Sequence, residues 1–222
     1  MLPRLRNLAD YDQFSAGQDA SIGFLRQAEI KHGRVAMAAF VGFIVQSNGI
    51  HFPWALTGGP SGVTYADISA AGGPADQWDA LPTAAKVQIL CFIGVLESIG
   101  ESTYILGLAG EKHYMSGGKP GFFPPIKDVF PHPVPLNLWD PFGFAGKMSP
   151  EKKEKGLLAE INNGRLAMLG IMAFVAEAKV PGAVPALAGK IAPYSGEVMA
   201  PFASGDASLP FVQDMITYKL PF

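Results

Sequence analysis

A stretch of 17 residues occurs twice in this chain, as EIKHGRVAMAAFVGFIV from Glu29 to Val45 and as EINNGRLAMLGIMAFVA from Glu160 to Ala176. At an offset of 131, seven of the 17 pairs are identical: Glu29/Glu160, Ile30/Ile161, Gly33/Gly164, Arg34/Arg165, Ala36/Ala167, Met37/Met168 and Phe43/Phe174. Charged residues recurring at matching places inside an apolar segment mark an internal duplication. The apolar runs after Arg34 and Arg165 are only 11 residues each, well short of the ~20 that a membrane-crossing helix needs. A span must therefore take in the polar prefix. That sets Glu29, His32 and Arg34, and likewise Glu160, Asn163 and Arg165, at or inside the hydrocarbon boundary, where an ionisable group is costly unless paired and marks function.

Within each copy the Glu and the Arg are five residues apart, ~140° around a helix, so they do not face each other as an (i, i+4) pair does. Crossing the two copies solves this symmetrically: Glu29 meets Arg165 and Arg34 meets Glu160. The plainer alternative is a local surface ion pair on a soluble helix, and such pairs contribute little.

Composition agrees with a membrane setting. The chain of 222 residues is 49% hydrophobic and 16% charged, against about 25% charged in soluble domains. Its 26 Gly and 19 Pro fit tight helix contacts and long irregular loops. A net charge of −2 gives no reason to expect nucleic acid. Cys91 is the sole cysteine, which rules out an intrachain disulfide and a cysteine-based metal site. No signal or transit segment is visible in residues 1 to 21, which lack an apolar core and carry Arg4, Arg6, Asp10, Asp12 and Asp19.

The expected architecture is a single all-α membrane domain over residues 1–222, with three transmembrane helices joined by long irregular loops. After a polar arm, the first helix is placed at about 22–47. A Gly/Pro/Ala-rich connection with little periodicity follows. The second helix is placed at about 83–110, its apolar run interrupted by Gln88, Glu97 and Glu101. A loop rich in Pro and aromatics leads to the third helix at about 149–180, where Ser149-Pro150-Glu151 is a start signal. The tail has room for a short amphipathic helix. Three spans put ten basic residues on one side (Arg4, Arg6, Arg26, Lys112, Lys119, Lys127, Lys147, Lys152, Lys153, Lys155) and four on the other (Lys86, Lys179, Lys190, Lys219). The positive-inside rule then sets the N-terminus on the cytoplasm-like side. The two repeats run parallel, unlike inverted-repeat transporters.

Glu29 and His32 are neighbours on one helix face, as are Glu160 and Asn163. Carboxylate, neutral imidazole and amide oxygen share the ability to offer a lone pair to a metal. Glu-x-x-His also serves di-iron bundles, but those need two such motifs and two more Glu, and Arg34 and Arg165 would repel a bare cation. The set suits a metal whose charge is already balanced, such as the magnesium of a chlorophyll. A Glu ligand to it adds an uncompensated negative charge, which an Arg must offset; His and Asn need no such partner.

These two stretches resemble the signature helices of the light-harvesting chlorophyll-binding proteins, and the resemblance runs from about Gly23 to Phe202. It implies a plastid thylakoid protein with its N-terminus stromal, a crossed pseudo-two-fold pair formed by the first and third helices, chlorophylls, and carotenoids in the grooves of the cross. It implies magnesium ligands at Glu29, His32, Glu160 and Asn163, with Arg34 and Arg165 as cross-helix charge partners. HYMSGGKPGFFPP from His113 and PYSGEVMAPF from Pro193 are similar to algal chlorophyll a/c proteins of the fucoxanthin or peridinin type. Chlorophyll a, chlorophyll c and peridinin- or fucoxanthin-type carotenoids with other xanthophylls are the pigments this implies. No His follows His132, so the His ligand of chlorophyll a/b relatives after the third helix is missing. LWDPFGF resembles the family's turn before the third helix, with Phe142 in place of Leu, and suggests Trp139 and Asp140 as carotenoid contacts. Gln88, Glu97 and Glu177 are further implied ligands; Glu101, and by pseudo-symmetry Gln46 (the repeat mate of Glu177), are secondary candidates.

The remaining polar residues have ordinary expected roles. His51, His113 and His132 are expected to face solvent, Met37 and Met168 to pack the crossing, and most of Asp67, Asp76, Asp79, Glu197, Asp206 and Asp214 to be hydrated. The functional expectation is an antenna subunit, not an enzyme. It works with a photosystem core (I or II), other antenna subunits and thylakoid lipids. One alternative is an energy-dissipating member of the same family, responding to pH through Asp67, Asp76 and Asp79. Another is an ion or proton transporter with Glu97 and Glu101 as a relay.

Overall fold

The computed structural model of the chain describes residues 17–58, 62–125, 127, 137–198 and 200–217. Among these residues are seven α-helices: α1 Gln18–Ser47, α2 Tyr65–Ala70, α3 Pro74–Asp79, α4 Thr83–Glu101, α5 Thr103–Leu108, α6 Pro150–Lys179 and α7 Val212–Thr217. Arg4, Arg6, His132 and Lys219 lie outside the described residues.

The long helices α1 and α6 have 30 residues each, about 45 Å of axis. α1 begins earlier than expected, so residues 18–21 are helical and not part of a polar arm. It ends in a Schellman motif, with Ile50 N–H donating to Val45 O and Gly49 N–H to Gln46 O. Gly49 has a φ of 65°, which a residue without Cβ adopts freely. α6 starts as its Ser-Pro signal requires, the Ser149 hydroxyl accepting from Lys152 N–H at 3.4 Å.

The second helix is shorter than the sequence suggested. It stops at Glu101 because Ser102 leaves helical geometry (φ −71°, ψ 112°) and its hydroxyl accepts from Ile105 N–H, which restarts the chain as α5. Serine offers the backbone this competing partner, and for that reason favours caps over helix interiors. The connection before α4 also holds more order than expected. Thr64 and Asp67 form a capping box that starts α2, and Pro74 occupies the first turn of α3.

Among the described residues one helix, α4, is long and apolar enough to cross a membrane by length and composition. Phe92, Ile93 and Val95 on it are 60%, 49% and 56% exposed. Val35 and Val41 of α1 and Leu157, Leu166 and Leu169 of α6 are exposed as well. Few large apolar residues are buried, so the chain has not used its hydrophobic surface on itself. Apolar area left open on this scale marks a surface meant for an apolar partner.

The chain divides into two compact units. One comprises residues 1–35 and 93–165, the other residues 36–92 and 166–222.

Candidate functional site

In the first unit, Gly33 and Gly164 bring α1 and α6 into backbone contact, since a Cβ on either would meet the other's Cα at about 3 Å. Small residues at such a contact let helices approach closely. That approach carries the flanking charges across. Arg34 Nε donates to Glu160 Oε1 at 2.6 Å, and Arg165 Nε donates to Glu29 Oε1 at 2.7 Å. The pairing is between helices, as the angular offset within each helix requires.

Each carboxylate thus gives one oxygen to an arginine. Neither Glu29 Oε2 nor Glu160 Oε2 has a hydrogen-bond partner among the described residues. One turn further on, His32 Nδ1 lies 2.7 Å from the Ala28 carbonyl. A nitrogen facing a carbonyl carries the proton, so Nε2 keeps its lone pair, the arrangement usual for metal-bound imidazole. Asn163 is exposed and its amide has no partner among the described residues. Four groups with open lone pairs therefore flank the contact, and Val35, next to Arg34 in the chain, is exposed. No group of three or more His, Cys, Asp or Glu among the described residues converges on a single point.

The pseudo-symmetry is incomplete. Arg34 Nη1 also donates to the Gly121 carbonyl at 2.7 Å, and its guanidinium lies 5.3 Å from the centroid of the Trp139 ring. Gly121 N–H in turn donates to Gln27 Oε1 at 2.5 Å, so the loop is fastened over this arginine. Arg165 has no such cover, and its side chain is 60% exposed. The Asp140 carboxylate accepts from Phe144 and Ala145 N–H at 2.7 and 2.8 Å and holds its own turn. Trp139 remains exposed.

A cluster that the sequence reading missed joins α1 to α4. Lys31 Nζ bonds Glu97 Oε2 and, at 2.8 Å, Glu101 Oε1. Glu101 also accepts from Tyr114 hydroxyl at 2.8 Å and lies 3.1 Å from His113 Nε2. His113 is therefore engaged, not solvent-facing as expected, and both carboxylates share the Lys31 ammonium. Burial and the Glu101 carboxylate push the Tyr114 hydroxyl up to about 12. The signal in the sequence was Lys31 itself, a lysine in an apolar repeat whose second copy has Asn162.

In the second unit, Phe174 stacks on Phe40 and Phe43, each at 5.0 Å between centroids. Gln88 and Gln46 are exposed, and neither side-chain amide has a partner among the described residues. Glu177 differs. It is 2% exposed, and its two oxygens accept from Gly182 and Val184 N–H at 2.8 Å each. Its carboxylate ties the chain leaving α6.

Of the acids most of which were expected to be hydrated, Asp67, Asp76, Asp79 and Asp206 are also engaged. Asp67 and Asp76 accept from the N-cap amides of α2 and α3, and Asp79 accepts from the Tyr194 hydroxyl at 2.7 Å. Burial and this carboxylate raise the Tyr194 hydroxyl above its ordinary value. Asp206 and Lys86 form a buried ion pair at 2.6 Å, their side chains 3% and 1% exposed. Thr83 hydroxyl also donates to Asp206, and Lys86 donates to the Asp79 carbonyl. Three of these acids are the ones the pH-responsive alternative invoked, and each accepts a hydrogen bond within the fold.

Residues 3–179 match the sequence pattern of the family described as chlorophyll A-B binding protein. Among curated relatives, fucoxanthin-chlorophyll a-c binding protein C of Phaeodactylum tricornutum is 32% identical over 72% of this chain and 66% of its own length. Fucoxanthin-chlorophyll a-c binding protein of Trieres chinensis is 34% identical over 72% of this chain and 68% of its own length. Protein D of Macrocystis pyrifera, of the same description, is 32% identical over 68% of each chain. The chain thus spans about two thirds of the length of the relatives it matches.

Proposed function

The chain belongs to the chlorophyll a-b binding protein family, and from that premise we propose that it is a light-harvesting antenna subunit of the plastid thylakoid membrane. It binds chlorophylls a and c and fucoxanthin-type carotenoids, the pigments that its relatives' names specify. It passes excitation energy to a photosystem core, alongside other antenna subunits and thylakoid lipids. Three helices, α1, α4 and α6, span the bilayer, with α1 and α6 a crossed pseudo-two-fold pair and the N-terminus stromal. At about 45 Å each, α1 and α6 exceed the ~30 Å hydrocarbon thickness, so their charged ends reach the boundary while their apolar stretches remain in lipid.

One observation carries the reading: each repeat carboxylate gives one oxygen to the opposite arginine and keeps the other open. Such a carboxylate is charge-neutralised, as a ligand to an already neutral magnesium complex has to be. Glu29, His32, Glu160 and Asn163 are the residues proposed to hold chlorophyll magnesium, followed by Gln88 and Glu97, with Gln46 as a further candidate. Trp139 is proposed as a carotenoid contact. When bound, the pigments supply light absorption and excitation transfer. The protein holds them at fixed spacing, excludes water and balances the ligand charges.

Purification in mild detergent followed by pigment extraction tests this. The expected result is several chlorophylls per polypeptide, chlorophyll a and c by comparison with standards, together with a carotenoid whose excitation spectrum appears in chlorophyll emission. A folded but colourless protein overturns the reading.

A further inference from the structure

Lys31 breaks the symmetry that the other repeat charges keep, since the matching position in the second copy is Asn162. Its ammonium sits between Glu97 and Glu101, which are four residues apart on one face of α4 and repel each other without a cation between them. The oxygens left over on the two carboxylates have different surroundings. Glu101 Oε2 accepts from Tyr114 hydroxyl at 2.8 Å and faces His113 Nε2 at 3.1 Å. His113 Nδ1 accepts the Met115 N–H at 3.3 Å, so that nitrogen has no proton, Nε2 carries it, and the ring is a neutral donor to Glu101. Three donors therefore occupy Glu101. Glu97 Oε1 has no partner among the described residues, and the Glu97 side chain is 54% exposed.

The geometry points to Lys31 as a positioning residue that supplies the counter-charge for Glu97, making Glu97 and not Glu101 the axial ligand of a pigment magnesium on α4. The inference rests on the pigment-binding reading above. Its logic is that of the repeat: a carboxylate on an already neutral magnesium complex carries an uncompensated charge into a medium of low dielectric. Arg165 offsets it for Glu29, Arg34 for Glu160, and Lys31 for Glu97. Lys31 bridges one oxygen of each carboxylate, while His113 and Tyr114 take up the second oxygen of Glu101 and fix that carboxylate as an anchor between α4 and the segment that follows α5.

The test counts chlorophylls per polypeptide, with absorption and visible circular dichroism, in the full chain purified with its pigments. Lys31→Met is expected to lose one chlorophyll, and Lys31→Arg to keep it. Combining Lys31→Met with Glu97→Gln is expected to restore the count, because a neutral amide oxygen ligates without a counter-charge. A merely structural lysine would not be rescued in this way. Glu101→Gln is expected to leave the count unchanged. An unchanged count in Lys31→Met, failure of the double variant to regain the pigment, or a lost chlorophyll in Glu101→Gln overturns the inference. Should Lys31→Met not fold, the double variant and Glu101→Gln still decide. A wild-type protein without chlorophyll overturns the pigment reading itself, whereas pigmented wild type with an unaffected Lys31→Met overturns only the role of Lys31.

Discussion

Gly33 and Gly164 face each other with no room for a side chain between them: a Cβ on Gly164 would stand 2.9 Å from the Gly33 Cα, and one on Gly33 3.1 Å from the Gly164 Cα. Backbone cannot yield as a flexible side chain does. Alanine gains up to about 1 kcal/mol of helix propensity over glycine, but overpacking costs about 1–3 kcal/mol. Gly164→Ala is expected to lower the thermal midpoint of the pigmented protein, and Gly33→Leu to prevent its assembly. A midpoint at or above that of the wild type would contradict the close contact.

The two arginines are not equivalent. Arg34 holds Glu160, the Gly121 carbonyl and the face of Trp139, whereas Arg165 holds Glu29 and is 60% exposed. Removing one partner of a partly buried pair costs about 1–3 kcal/mol. Arg34→Met is therefore expected to destabilise the first unit by that order, and Arg165→Met by clearly less. Thermal melts of the two variants side by side check the ranking, and equal losses would refute it.

Asp206 gives the second unit an acid limit. Burial favours its neutral form, but the Lys86 ammonium, the Thr83 hydroxyl and the Ala203 N–H together outweigh that and hold the carboxyl below its ordinary value of 3.8. A depressed folded value stabilises the protein above the unfolded one, and the contribution is lost as pH falls through the folded one. The contribution is thus expected to be constant from neutral pH down to about pH 5 and to be lost progressively as pH falls below about 4. Asp206→Asn removes this acid-dependent step and costs about 3 kcal/mol at neutral pH by stranding Lys86. Adding Lys86→Met is expected to recover part of that loss. Thermal unfolding as a function of pH shows each effect.

Glu177 and His32 are expected to separate structure from ligation. Glu177→Gln turns one acceptor into a donor facing a backbone N–H, at a cost of about 1–3 kcal/mol. Its expected signature is a lower thermal midpoint with the chlorophyll count unchanged. His32→Leu removes the open Nε2 and is expected to lose one chlorophyll with a smaller change in midpoint. The reverse pattern would exchange the roles assigned to the two residues.

The helical architecture was legible because the duplication and the capping signals are local. Ser149-Pro150 announced α6, and the apolar run after Arg34 announced α1. The break at Ser102 was not legible: serine inside an apolar helix reads as tolerated until its hydroxyl is seen accepting from Ile105. The short helices α2 and α3 went unread although their caps are local, because Gly and Pro on either side obscured periods only six residues long. Among the site residues, Glu97 and Glu101 looked alike in sequence. Only their neighbours distinguish them, and His113 and Tyr114 reach Glu101 from 12 and 13 residues further along the chain.

What the chain's own sequence determined is the need for partners between the repeats: a Glu and an Arg held ~140° apart on one helix cannot neutralise each other, and low dielectric forbids leaving either alone. Tertiary structure alone decided which lone pairs stay open. Glu29 and Glu160 each keep one oxygen, Glu101 keeps none, and Glu177 commits both oxygens to amides. The physical reason is reach: hydrogen bonds act over about 3 Å, and the residues that close or spare each carboxylate come from chain segments whose meeting depends on the folded path.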